Sequence, residues 1–121
     1  MNLEQFYNLC LAKNGVTESL PFDDDVLVFK IGNKMFALTS LKSWENGEPS
    51  INLKCDPTRS LELRARYEDI IEGYHMSKVH WNTVYVNKSV TDQTITSLLN
   101  HSFDLVFSSL SKKIQNEISE L

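Results

Sequence analysis

The stretch "VLVFKIGNKMFALTS", residues 26–40, constrains the fold of this chain more than any other. β-Branched and aromatic residues flank a Gly32-Asn33 pair, and both of those residues tolerate the positive φ angles that a two-residue hairpin turn demands. The pattern predicts strands over Val26–Ile31 and Lys34–Ser40 with that turn between them. A lone hairpin is marginal in water. The remaining sequence must therefore supply further strands and a covering layer.

It supplies both. Leu3, Phe6, Tyr7, Cys10 and Leu11 recur at helical spacing and form one apolar stripe. Asn2 with Gln5 three positions on reads as a capped start, and Gly15 suits the left-handed position after a helix end. "ESLPFDDD" reads as a turn region, and "WENGEP" as a second turn around Asn46-Gly47. "SINLK", residues 50–54, alternates like a strand, with Ile51 and Leu53 on one face and Asn52 and Lys54 on the other.

Asp56-Pro57 opens a second helix, with Asp56 as N-cap and Pro57 at the first helical position. In that helix Leu61, Ala65 and Tyr67 are the expected inward residues, and Glu62 with Arg66 makes an i,i+4 pair. Gly73 closes a short stretch, "TVYV" at 83–86 alternates like a strand, and Asn87-Lys88 begins a turn. Thr91 or Asp92 caps a last helix with apolar positions Ile95, Leu98, Leu99, Phe103, Val106 and Leu110. Residues 1–110 thus form one α+β domain, an antiparallel sheet with helices packed on one face. Residues 111–121 are a C-terminal helical extension or tail.

At 121 residues the chain is one domain with a single core. No apolar run approaches the roughly 18 residues that span a bilayer. The start of the chain lacks the basic-then-apolar layout of a secretion signal, so a cytoplasmic location with no membrane partner is expected. Cys10 and Cys55 have no CxxC spacing and are expected to be buried free thiols.

The chemistry-bearing segment is "GYHMSKVHWNTVYV", residues 73–86. His75 and His80 lie five apart, which is not a helical ligand spacing, and nothing adjacent completes a metal shell. "FDDD" at 22–25 reads as solvated turn. No GxSxG, phosphate-cradling glycine loop or activated cysteine is present. No catalytic residue, metal or cofactor is therefore expected, and the protein is read as a non-enzyme. Trp81 reads as the anchor that ties its loop to the core.

Net charge is −4, which disfavours general attraction to nucleic acid, but the charge is uneven. Residues 1–53 hold four basic and seven acidic side chains, and residues 89–121 hold two and four. Residues 54–88 hold six basic side chains against five acidic.

"VFKIGNKMFAL" (28–38), "NLKCDP" (52–57), "GYHMSKVHWNTVYV" and "LLNHSFDLV" (98–106), in that order, resemble the MmcQ/YjbR family of small bacterial proteins. The resemblance runs from the first helix to about Leu110. It implies a frataxin-like (CyaY-like) α+β fold. It also implies DNA binding through a "double wing" of two hairpin-like projections. In this chain the wings would be the Gly32-Asn33-Lys34 turn and the loop bearing Lys78, His80 and Trp81. Val79 stands where a second lysine is often found, removing one phosphate contact.

Two functions follow as expectations. One is binding of double-stranded DNA by Lys34, Lys54, Arg59, Lys78, His80 and Lys88. The other is a protein-interaction or adaptor module using a patch around Trp44, Tyr74 and Trp81.

Overall fold

A computed structural model describes every residue of the chain except His75. Helix α1 (Leu3–Leu11) leads into strands β1 (Thr17–Ser19), β2 (Val26–Ile31) and β3 (Lys34–Ser40). The short helix α2 (Leu41–Glu45), β4 (Ser50–Lys54) and helix α3 (Pro57–Arg66) follow. Strands β5 (Ile70–Glu72) and β6 (Trp81–Tyr85) precede helices α4 (Asp92–Ser109) and α5 (Lys112–Ser119). Among the described residues the strands form one antiparallel sheet in the order β1-β2-β3-β4-β6-β5. The α+β class expected from the sequence is the class observed.

The expected hairpin holds to the residue: Gly32 and Asn33 both have positive φ, 55° and 64°. A bulge in β3 places Phe36 and Ala37 opposite Phe29, so both enter the core while Met35 and Leu38 face the other way. Asn2 and Gln5 form the expected capping box, Asp56 caps α3, and Thr91 caps α4. The five helices of the described residues pack on one sheet face. Phe6, Cys10, Leu63, Ile95, Leu99, Val106 and Ile118 meet Phe29, Ile31, Ile51, Leu53 and Val84 there. Both cysteines are buried and free, and burial pushes both thiols above their usual titration range.

Some local expectations need correction. Part of "ESLPFDDD" is strand, because Thr17–Ser19 pair with Val28–Lys30 as an edge. "LKSWE" is helical, with Trp44 stacked near Phe6 and its indole N–H donating to Thr39 Oγ1 at 2.8 Å. Gly15 has φ 75° but lies beyond the α1 cap, which is Ala12. The inward face of α3 is Ser60, Leu63, Arg64 and Tyr67 rather than Leu61 and Ala65, and Leu61 is 67% exposed. Polar recruitment explains that rotation, since Ser60 and Arg64 both bond to Asn82. Among the described residues, no Glu62–Arg66 ion pair forms within 4 Å. The last strand begins two residues earlier than expected, at Trp81.

Candidate nucleic-acid interface

The strand register sets the geometry. Lys54 pairs with Trp81, and Ala37 with Leu53, so one end of the sheet holds the β2–β3 turn, the end of β4 and the start of β6. Lys34 stands at that turn, exposed, with Nζ 3.4 Å from Ser109 Oγ. Lys54 closes β4 on the face away from the helices. Arg59 lies in the first turn of α3, beside a groove between α3 and α4 that also takes in Arg66, Thr94 and Ser97. Lys78 and His80 are exposed in the segment joining β5 to β6.

The sheet therefore brings five of the six candidate residues to one end. Lys88 is the exception. It sits in the turn after β6, at the opposite end, with Nζ 5.4 Å from the Tyr85 ring centre.

The segment carrying Lys78 is held by Arg64, which sequence reasoning did not select. Arg64 Nε donates to Asn82 Oδ1 at 2.8 Å, its Nη2 donates to the Lys78 carbonyl at 2.6 Å, and its Nη1 lies 3.7 Å from Glu72. Asn82 is buried and completes the network by donating from Nδ2 to Ser60 Oγ at 3.2 Å. The His80 carbonyl accepts from Cys55 N–H, and Gly73 N–H donates to the Trp81 carbonyl. An added Cβ at Gly73 would lie 2.8 Å from Trp81 Cβ, so this corner requires glycine.

"HWN" thus reads as a junction. Trp81 packs with Val28 and Leu38 on one sheet face, while Asn82 ties α3 to the other. The signal that could have found Arg64 is the inward-facing asparagine of β6, which needs a buried donor. His75 lies outside the described residues.

Local carboxylates temper the cations. Glu72 lies 3.6 Å from Lys78 Nζ, and Asp56 accepts from Arg59 N–H. Behind Asp56, His101 Nε2 accepts from the Asp56 backbone N–H at 3.1 Å. Burial, reinforced by Arg59, lowers the His101 pKa and favours the neutral ring this bond requires. Trp44, Tyr74 and Trp81 do not form one patch, because Trp44 packs on the helical side and Trp81 on the other. Among the described residues no group of three histidines, cysteines or carboxylates is arranged to hold a metal, and no helix is long and apolar enough to cross a membrane.

A small α+β domain with a six-stranded antiparallel sheet, helices on one face and a β5–β6 junction locked by arginine and asparagine has solved relatives. The fold matches DR2400 of Deinococcus radiodurans with TM-score 0.89 and 32% identity, over 98% of this chain and 88% of that one. A Pseudomonas syringae protein of known crystal structure matches with TM-score 0.74 and 30% identity, over 88% and 99%. The YjbR family pattern matches residues 11–105, and the chain belongs to the YjbR family. It is 41% identical to YbdF of Escherichia coli O157:H7 over 98 residues, 81% of this chain and 78% of YbdF. It is 31% identical to YjbR of Escherichia coli K12, over 85% of each chain.

Proposed function

We propose that the protein is a non-catalytic module that contacts the phosphate backbone of double-stranded DNA with the end of its sheet bearing Lys34, Lys54, Arg59, Lys78 and His80. The observation that carries this reading is that Lys34, Lys54, Arg59, Lys78 and His80 stand at one end of the strands, with Asp56 and Glu72 among them. Asp23, Asp24, Asp25, Glu48, Asp69 and Asp92 lie toward the opposite end, where Lys88 also lies. A molecule of net negative charge can still orient a polyanion when its cations share one pole. From β3 across β4 and β6 to β5 is three strand spacings, roughly 14 Å, comparable to the width of a DNA groove. Lys88 has no part in this contact.

Titrating the isotopically labelled protein with a 20-base-pair duplex and following amide shifts tests the surface. Perturbations should gather at residues 33–35, 54–59 and 76–80 and leave 87–89 unmoved; shifts centred on 87–89 would contradict the reading.

A second reading, docking of a protein partner, has its own observation. Leu61, Ile71, Tyr74 and Val79 are exposed around the β5 edge, an arrangement suited to an added strand. Such a partner would bind with little salt dependence.

A further inference from the structure

Among the described residues, no helix covers the sheet face opposite the α-helical layer. Where that face meets Phe22, Asp25, Tyr74 and Met76 it forms a cleft of about 590 Å³, within the range of small-molecule sites. Its walls are Phe22, Val26, Met35, Leu38, Tyr74 and Met76. The register explains its floor. One row across the sheet runs Val28–Leu38–Asn52–Thr83–Ile71, so a polar pair sits in the middle of an apolar band.

That pair has a fixed hydrogen-bond sense. Tyr74 N–H can only donate, and it donates to Thr83 Oγ1 at 3.1 Å. Thr83 sends its own proton to Asn52 Oδ1 at 2.6 Å. The Asn52 amide is thereby oriented with Nδ2 as a donor, and that nitrogen has no partner among the described residues. At the mouth stands Asp25, the one charged group among the described residues lining the cleft. Ser40 Oγ donates to its Oδ2 at 2.7 Å and Lys42 N–H to its Oδ1 at 2.8 Å, so the carboxylate is fixed in place. These bonds also hold its carboxyl below the ordinary range, keeping it ionised at neutral pH.

We propose that this cleft binds a small organic cation. Its ammonium sits at Asp25, its apolar or aromatic body lies on Met35, Leu38 and Met76, and a hydrogen-bond acceptor on it meets Asn52 Nδ2. Charge complementarity selects the ligand class, since among the described residues the cleft is lined by one carboxylate and no cation, Lys42 acting on Asp25 from outside the lining. The two methionines can adjust to the shape of the body. The exposed Phe22 ring adds a face on which an ammonium can rest. Ser40 and Asn52 lie one strand and two residues apart, so the charged group and the acceptor are separated by roughly 8 Å. This site is independent of the DNA-contacting end and does not rest on that reading.

The test is amide and side-chain chemical-shift titration of the full labelled chain with three matched probes: phenethylammonium, 2-phenylethanol and phenylacetate. Phenethylammonium should move the Asn52 side-chain amide and the Leu38 and Thr83 backbone signals saturably, about tenfold more tightly than the alcohol, a difference of about 1.4 kcal/mol. Phenylacetate should be weaker still. Asp25→Asn should reduce the amine to the affinity of the alcohol. Ser50→Lys, which sets a built-in ammonium in the cleft without touching the α2 start, should abolish amine binding. Equal affinity for all three probes, shifts centred elsewhere, or no shift at millimolar probe would each overturn the proposal.

Discussion

Ser102 shows how much one small buried side chain can hold. It lies in the middle of α4, fully buried, where its hydroxyl donates to the Phe36 carbonyl at 2.6 Å and accepts from Lys54 N–H at 2.9 Å. It thereby pins the β3 bulge and the end of β4 to the same helix turn. Ser102→Ala would leave both groups unsatisfied and should cost about 2 kcal/mol in urea unfolding; a loss below about 0.5 kcal/mol would show that water replaces the hydroxyl. The α4 apolar stripe was readable from the sequence, but Ser102 was not, because a serine within a helix gives no sign of two long-range partners.

His101 carries a pH dependence with a definite sign. Burial lowers its folded pKa below the unfolded value of about 6.5, so its contribution to stability is full above that pH and declines as pH falls toward the folded pKa. Asp23, Asp25 and Asp69 are held below the ordinary carboxyl range by hydrogen bonds. Asp23 accepts from the Val26 and Asp25 N–H groups, Asp25 first from Ser40, and Asp69 first from Ser89. Their contribution is present above about pH 4 and is lost only below it. Acid destabilisation should therefore proceed in two stages. In melting curves of His101→Gln the stage that sets in as pH falls below about 6.5 should shrink while the later one persists; a difference from wild type that stays constant with pH would contradict the assignment.

At the scale of elements, what the sequence made legible is whatever follows from local chemistry. Hairpin, caps and the alternating faces of β4 could be read from turn residues and periodicity. The inward face of α3, the pairing of Thr17–Ser19 and the early start of β6 could not, because each is decided by a partner distant in sequence. The same division applies to the candidate site. Its cations were visible, but the Arg64 bracket that positions Lys78 was not.

Two variants probe these elements. Arg64→Ala removes the donor to buried Asn82 Oδ1 and should cost about 2 kcal/mol, with faster proteolytic cleavage between Tyr74 and His80. Unchanged cleavage there would show that Arg64 does not hold the segment. Gly32→Ala would place a Cβ 2.7 Å from Leu110 Cδ1 at a positive φ of 55°. That strain should lower stability by about 2 kcal/mol or more, and a thermal midpoint equal to wild type would contradict it.

For the whole molecule, the central claim is that Lys34, Lys54, Arg59 and Lys78, gathered at one end of the strands, contact phosphate. The sequence showed a basic excess in residues 54–88 but could not show that Lys34 joins that group while Lys88 leaves it. Antiparallel register makes that assignment. The most direct measurement is fluorescence anisotropy of a labelled duplex at 50 and 200 mM salt, with wild type, Lys54→Ala and Lys88→Ala side by side. Four cationic contacts, from Lys34, Lys54, Arg59 and Lys78, give a log–log salt slope near −3.6, or about a hundredfold weakening across that range. Lys54→Ala should weaken binding and flatten the slope by about one, with Lys88→Ala unchanged. Absent binding at 50 mM salt, a flat salt response, or equal losses in the two variants would contradict the account.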